Sequence, residues 1–209
     1  MDTQQGYILV VEDNSDILRL LDTTLSFKGY RVVTARNGNE ALEAIEKESP
    51  AVIVTDILMP QMDGFSLVHR LRLNPATRDI PVIFLSATYV APEDKSFALT
   101  LGVTRFIEKP VDLGEFLPTI SELMAGGAKS TQEPIDEGEF YVHYRKRLET
   151  KINQKNTQIA RAEHLLDTLS EEEKPAFLLS LHQSMAEREE IQHLLDEIHN
   201  LTDNDAKTA

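Results

Sequence analysis

The sequence contains no cysteine, which excludes disulfide bonds, thiolate metal sites and cysteine nucleophiles. Basic residues are also scarce, since 21 Lys and Arg stand against 35 Asp and Glu, for a formal net charge of -14. Nucleic acids and anionic membranes attract basic surfaces, so this balance argues against DNA and membranes as partners. No apolar run approaches the roughly 20 residues that a membrane span needs. The N-terminus is polar and acidic rather than a secretory signal, so we expect a folded, cytoplasmic protein.

Three stretches of the chain differ in composition and periodicity. Over about residues 5–124, short β-branched runs alternate with amphipathic segments. Residues 125–138 contain paired glycines, Ser, Thr and Pro, which is typical of a flexible linker. Residues 139–202 contain one proline and no glycine, and helical periodicity dominates there. We therefore expect a first domain, a linker and a helical hairpin module over these ranges, followed by a disordered tail at 203–209.

The first domain alternates candidate strands with candidate helices. Runs such as YILVV and AVIVTD are apolar throughout, which indicates strands buried on both faces of a parallel sheet. Crossover helices between such strands predict an α/β fold with a five-stranded, doubly wound parallel sheet. The strands are expected at Tyr7–Val11, Arg31–Ala35, Ala51–Asp56, Pro81–Ser86 and Thr104–Glu108, and the helices at Ser15–Lys28, Gly38–Lys47, Phe65–Leu73, Pro92–Leu101 and Leu113–Met124.

Polar residues stand where four of the predicted strands end. Glu12 and Asp13 follow the first strand, Asp56 ends the third, Ser86 ends the fourth, and Lys109 follows the fifth. In a doubly wound sheet, functional groups gather at the carboxyl ends of the strands. Crowded carboxylates repel each other, so a hard cation such as Mg²⁺ is expected among them. Asp56 is then a candidate nucleophile that forms an acyl phosphate, with the hydroxyl and the lysine holding the phosphoryl oxygens.

These motifs together resemble the receiver domain of response regulators in two-component signalling, of the chemotaxis-Y-like kind, over about residues 5–124. Several separated elements match in the right order. They are the acidic pair Glu12-Asp13, a D-x-x-M-P-x-x-D-G loop from Asp56 to Gly64, the pair Ser86-Ala87 and the pair Lys109-Pro110.

The resemblance implies a role for each matched residue. Asp56 would be the phosphoacceptor, and a sensor histidine kinase would be the phosphoryl donor. Mg²⁺ would be bound by Asp13, Asp56 and the backbone carbonyl of Leu58, with Glu12 acting through a water. Ser86, beside its small neighbour Ala87, and Lys109 would hold phosphoryl oxygens, and the Lys109–Pro110 peptide would be cis.

The family resemblance also implies a conformational switch. On phosphorylation, Ser86 would move toward the phosphoryl group, and the aromatic residue at 106 would turn inward. The residue here is Phe106 rather than the commoner tyrosine. Phenylalanine has no hydroxyl that could form a hydrogen bond in the inward state.

Taken singly, each motif also has a purely structural explanation. Glu12 and Asp13 could cap the following helix, Met-Pro and Asp-Gly are common turn dipeptides, and Lys-Pro can end a strand. A haloacid-dehalogenase-type phosphotransferase would need a second aspartate two residues after the nucleophile, where Leu58 stands. We therefore predict a phosphoacceptor with self-phosphorylation and self-dephosphorylation chemistry rather than an enzyme.

The helical module is predicted to be a long antiparallel hairpin. Its helices are expected at Glu139–Leu169 and from Glu171 to about Leu201, with Ser170 and Glu173 forming a capping box. Heptad spacing in the first helix predicts one core position at Leu148, Lys155, Ala162 and Leu169, which Lys155 interrupts. In the second helix, the residues expected beside the seam are Leu178, Met185, Leu194 and Leu201. A two-helix hairpin has too little core to be stable alone, so we expect two copies to form a four-helix bundle in a homodimer. Packing against the receiver of the same chain is the alternative.

The helical module is acidic, with 9 Lys and Arg against 14 Asp and Glu from residue 139 onward. This predicts output through contact with a downstream protein that the sequence does not identify, rather than through DNA. The alternative is a phosphorelay in which a histidine of the bundle accepts the phosphoryl group from Asp56. His164 is the candidate, because it falls opposite the heptad core, although no acidic residue follows it.

Overall fold

The computed structural model describes residues 6–87, 92–126, 135–166, 169–170 and 174–208. They fall into two compact units, Met1–Ile135 and Asp136–Ala209. In the first unit the described strands are β1 (Ile8–Val11), β2 (Val32–Ala35), β3 (Val52–Asp56), β4 (Val82–Ala87) and β5 (Arg105–Lys109). Its helices are α1 (Ser15–Phe27), α2 (Gly38–Lys47), α3 (Gly64–Leu73), α4 (Pro92–Thr100) and α5 (Leu113–Met124). The second unit contains α6 (Glu137–Leu166) and α7 (Lys174–Thr208).

The five strands form one parallel sheet in the order β2-β1-β3-β4-β5. This confirms the predicted doubly wound α/β fold, and every predicted strand and helix of the first domain agrees with the structure to within one residue. The agreement has a simple cause. Strands buried on both faces read as continuous apolar runs, and polar or glycine-containing segments separate them from amphipathic helices.

Alternate strand residues pack against α1 and α5 on one face of the sheet. Full burial of a leucine or phenylalanine stabilises a fold by about 1.5–3 kcal/mol, so this cluster makes the sheet a firm support for the strand ends. The cluster consists of Ile8, Val10, Val52, Val54, Ile83, Leu85 and Ile107 from the strands and Leu18, Leu21, Leu25, Phe116, Ile120 and Leu123 from the helices.

In the second unit, α6 and α7 pack against each other along an apolar seam. Lys155 of α6 forms an ion pair with Glu187 of α7 at 2.5 Å. Lys155 was expected to interrupt the seam, and this ion pair satisfies its charge there. The contact agrees with an antiparallel hairpin, which stays a prediction. Among the described side chains, the buried apolar residues are Phe140, Tyr144, Leu148 and Ile159 of α6 and Leu181, Ile191, Leu194, Leu195 and Ile198 of α7.

The seam differs from the predicted heptads at both ends of the hairpin. Near the start of α6, the stacked rings of Phe140 and Tyr144, with centroids 5.2 Å apart, are buried, whereas the predicted seam begins at Leu148. Leu178 and Met185, expected beside the seam on α7, remain 37% and 36% exposed. Periodicity shows which residues share a helix face, but not how much of a wide apolar face one partner helix covers.

Helix boundaries in the second unit also differ from the sequence expectation. Helix α7 continues to Thr208, so residues 203–208 are helical where a disordered tail was expected. No glycine or proline occurs there to end the helix. Residues 127–134 of the expected linker and Glu173 of the expected capping box lie outside the described residues. Among the described helices, none combines the length and apolarity needed to cross a bilayer.

Candidate functional site

Three carboxylates meet at the carboxyl ends of β1 and β3. Glu12 and Asp13 follow β1, Asp56 ends β3, and one oxygen atom from each lies within 4.8 Å of the others. Asn14, rather than the acidic pair, caps α1, because its side chain accepts hydrogen bonds from the backbone N–H groups of residues 16 and 17. The acidic pair is therefore available for another role, which removes the capping explanation.

Lys109 joins two of these carboxylates from the end of β5. Its Nζ lies 2.7 Å from Oδ2 of Asp56 and 2.7 Å from Oε2 of Glu12. Glu12 is only 1% exposed, so this ion pair is largely shielded from solvent. Breaking a buried pair leaves an uncompensated charge, which is strongly destabilising. The lysine therefore balances part of the negative charge of the cluster.

The environment changes the proton affinity of all three groups. Burial, followed by the charge of Asp56, raises the pKa of Glu12 to about 7, although Lys109 acts in the opposite direction. Burial likewise raises the pKa of Asp56, against the lowering effect of Lys109. Burial alone would lower the pKa of Lys109, but the charges and hydrogen bonds of the two carboxylates raise it overall. Burial is therefore the main reason why both carboxyl groups have a raised pKa.

The loop between β3 and α3 is held close to the Asp56 backbone. The N–H of Gly64 donates to the Ile57 carbonyl at 2.9 Å, and a Cβ on Gly64 would lie 2.4 Å from the Asp56 carbonyl oxygen. Only glycine permits this approach, which explains the Asp-Gly pair in physical terms. Buried Asp63 caps α3 by accepting a 2.8 Å bond from the N–H of Ser66.

The remaining predicted residues lie around the same strand ends. Leu58, partly exposed, is two residues beyond Asp56 in the loop, and its carbonyl as a metal ligand stays a prediction. Ser86 is buried near the end of β4, and Ala87 pairs in register with Lys109. The Lys109–Pro110 peptide is cis, as the family resemblance implies.

Phe106 is the outer member of a chain of four aromatic rings. It lies on β5 opposite Phe84 of β4, with ring centroids 5.7 Å apart in an edge-to-face arrangement. Phe84 meets Phe65 of α3 at 5.1 Å, and Phe65 stacks on Phe97 of α4 at 5.3 Å. Such pairs are worth about 0.5–1.5 kcal/mol beyond the area they bury. We call these four residues the phenylalanine chain.

His164 lies exposed on α6 in the second unit, as its position opposite the heptad core predicts. It belongs to a different unit from the carboxylate cluster. Its role in a relay stays a prediction.

Sequence reasoning missed some residues that shape the site. The ion pair between Lys109 and Glu12 was not foreseen, because the lysine was assigned only to a phosphoryl oxygen. The capping role of Asn14 is a usual one for its residue type at a helix start. The phenylalanine chain has a weaker signal, namely four phenylalanines in segments that a parallel sheet brings together.

The carboxylate cluster fits a magnesium ion by its chemistry. Its donors are hard oxygens on adjacent strand ends, which Mg²⁺ prefers. Three carboxylates stand against one lysine there, so the lysine alone does not compensate their formal negative charge. A divalent cation would supply the missing positive charge.

Comparison with known proteins gives one family and several relatives. The response regulator receiver domain family matches residues 8–121. "Probable transcriptional regulator ycf27" of Pyropia yezoensis is 36% identical over 131 residues, so the match spans 63% of this chain but only 52% of the relative. "Uncharacterized transcriptional regulatory protein YkoG" of Bacillus subtilis is 28% identical over 189 residues, which are 90% of this chain and 78% of that protein.

A solved structure agrees with the first unit. The chemotaxis response regulator CheY4 of Vibrio cholerae is 32% identical, with a TM-score of 0.53, over 56% of this chain and 98% of that chain. The family match covers more than half of the sequence and includes every strand and the whole carboxylate cluster. The protein therefore belongs to the response regulator receiver domain family.

Proposed function

We propose that this response regulator accepts a phosphoryl group on Asp56 from the phosphohistidine of a sensor kinase in the cytoplasm. The observation that carries the proposal is the placement of the Asp56 carboxylate beside the Lys109 ammonium and within 4.8 Å of two further carboxylates. A nucleophilic carboxylate, a cation for the phosphoryl oxygens and a site for a divalent ion are what such a transfer needs.

In the proposed transfer, one carboxylate oxygen of Asp56 attacks the phosphorus. The P–N bond of the phosphohistidine breaks, its electron pair stays on the imidazole nitrogen, and that nitrogen takes up a proton from solvent. Lys109 stabilises the charge on the phosphoryl oxygens, and the Ser86 hydroxyl donates to one of them. Asp13, Asp56 and the Leu58 carbonyl would hold Mg²⁺, which supplies positive charge to the transferring group.

We propose that phosphorylation changes the structure outside the site through altered packing of aromatic rings rather than through a new hydrogen bond. Ser86 and Phe106 are the first residues to respond. Because Phe106 cannot donate a hydrogen bond, its position depends on ring contacts with Phe84. The phenylalanine chain then connects β5 with α4 through Phe65 and Phe97. Packed rings have discrete arrangements, which suits a two-state switch.

We further propose that α6 and α7 form a homodimerisation module and that output occurs by contact with another protein. The two helices comprise 30 and 35 residues and cannot build a globular core by themselves. DNA binding is the second candidate, because YkoG, which aligns with 90% of this chain, is named a transcriptional regulatory protein. The acidic composition from residue 139 onward favours protein contact. The phosphorelay alternative is supported only by the exposure of His164. An exposed histidine on a helix is usually an ordinary polar surface residue, so exposure alone is weak support.

The phosphoacceptor assignment predicts the result of chemical phosphorylation. With acetyl phosphate and Mg²⁺, the protein should gain one phosphoryl group by intact-mass analysis, and Asp56→Asn should gain none because the amide is not nucleophilic. Asp196→Asn makes the same chemical change on an exposed residue of α7 and should be labelled as fully as the wild type. Equal labelling of Asp56→Asn would contradict the assignment.

The raised pKa of Glu12 predicts a pH dependence of stability when no divalent ion is bound. Between its ordinary value of 4.5 and about 7, Glu12 holds its proton in the folded state but loses it in the unfolded state. The folded state therefore binds more protons, and the free energy of unfolding falls as pH rises through this window. Urea denaturation in EDTA should show a shallower fall for Glu12→Gln than for wild type.

Two controls sharpen this measurement. Exposed Glu43→Gln on α2 should keep the wild-type slope, and saturating Mg²⁺ should flatten the slope of the wild type, because a nearby cation favours the charged carboxylates. An unchanged slope in Glu12→Gln would show that Glu12 is not the titrating group.

The phenylalanine chain predicts a fluorescence change at α4. The protein contains no tryptophan, so Phe97→Trp introduces a single indole reporter. Beryllofluoride with Mg²⁺ should shift its emission, and adding Phe84→Leu should reduce the shift by at least half, because the ring contact with Phe106 is lost. Phe116→Leu removes a buried ring from the other face and should leave the shift intact. An undiminished emission shift with Phe84→Leu would show that the phenylalanine chain does not transmit the signal to α4.

The dimerisation proposal predicts the effect of removing the second unit. Light scattering should give a dimer mass for the full chain and a monomer mass after deletion of residues 136–209. A full-length monomer, or a dimer that survives the deletion, would contradict the role assigned to α6 and α7.

A further inference from the structure

A groove between α6 and α7 carries almost no charge. Of the twelve described residues that line it, Arg161 alone is charged. Ala162, Leu165, Phe177 and Leu181 supply the apolar part of its surface, and hydroxyl and amide side chains supply the rest. In a chain with 27% charged residues, such a depleted surface is unusual. Loss of charge together with retained apolar surface is the composition of an interface core.

Part of the apolar surface of the groove is not covered within the hairpin. Leu165 remains 50% exposed, although it lines the groove, and Phe177 is only partly buried. Two helices have one mutual seam, which here is formed by residues such as Ile159 and Leu181. Burying a second apolar surface requires a further helix.

The charges of the two helices indicate what the further helices are. Helix α6 has six basic and four acidic residues, and α7 has three basic and seven acidic residues. Like helices placed side by side would therefore repel each other. Unlike helices placed side by side attract, as Lys155 and Glu187 already do within one hairpin. A second copy of the chain offers both signs in the required arrangement.

We propose that a second copy of this chain covers the groove, with α6 of each hairpin lying beside α7 of the other and the two grooves facing each other. This rests on the proposed homodimer and adds the surface and the helix order. In this arrangement both hairpins point in the same direction along the bundle. Every neighbouring pair of helices is then antiparallel, which is the common four-helix topology. The register of Lys155 with Glu187 then brings position 158 of one copy level with position 184 of the other.

Two exposed leucines give a matched test of the surface. Leu165 lines the groove, whereas Leu179 of α7 is 73% exposed and does not. Leu165→Lys should raise the dimer dissociation constant of the full chain at least about tenfold, because it buries an unpaired charge. Leu179→Lys should leave the constant within about twofold. Light scattering over a dilution series measures both, and circular dichroism checks that each variant remains helical.

Crosslinking tests the helix order through single cysteines placed at two positions that line the groove. Because the chain lacks cysteine, Gln158→Cys and Ser184→Cys variants with different tags can be co-expressed and treated with a short bismaleimide. We expect crosslinked dimers that contain one chain of each variant to exceed crosslinked dimers of two identical chains at least about threefold. Gln192→Cys, exposed on α7 outside the groove, should give little product with either variant.

The outcomes separate this inference from the proposal on which it rests. A wild-type monomer that gives no crosslinks overturns both and indicates that the groove is covered within the chain. A wild-type dimer that is unaffected by Leu165→Lys, yet lost on deletion of residues 136–209, leaves the dimerisation role intact and overturns the groove. Crosslinks mainly within each variant overturn the helix order.

Discussion

The ion pair of Lys109 with Asp56 and Glu12 is the contact on which the receiver site depends. Three carboxylates within 4.8 Å of each other repel, and burial of Glu12 makes that repulsion more costly. The lysine reaches them from β5, across the end of β4, only because the sheet is parallel and its strand ends lie at one edge. The fold thus brings the charges together, and the lysine keeps them together without neutralising them. The negative charge that remains is what a divalent ion would compensate in the proposed function, and the lysine is the group that would attract a phosphoryl group.

Near this charged cluster lies the phenylalanine chain, the uncharged route proposed for conformational change. The ring of Phe106 contacts Phe84, one strand over and two residues before Ser86. A hydrogen bond is directional and forms in a narrow range of geometries, whereas ring packing depends on the shape of the surrounding space. A small movement of β4 at Ser86 therefore changes the space available to Phe84 and its neighbours. Because interiors are close-packed, a shift of one ring is expected to require adjustment of the neighbouring rings.

The first unit could be predicted from sequence because its fold imposes a strong local signal. Doubly buried strands are recognisable as apolar runs, and parallel geometry then places Asp56, Ser86 and Lys109 at one edge. What escaped prediction depends on distances rather than on element type. The pairing of Lys109 with Glu12 needs the side-chain path across β4. In the second unit, the aromatic start of the seam at Phe140 and the partial exposure of Met185 depend on how two surfaces meet, which periodicity does not specify.

The two units also differ in how they gain stability. The sheet buries apolar residues on both faces, so the first unit has a complete core within one chain. The hairpin has one seam, and its groove leaves Leu165 half exposed. If a second copy covers this apolar surface, as proposed, folding of the hairpin depends on association, and its stability then rises with protein concentration. A signal from Asp56 that changes this association by a small free energy would change the amount of ordered hairpin. In this proposal the second unit would respond in this way because the seam between its two helices leaves apolar surface exposed.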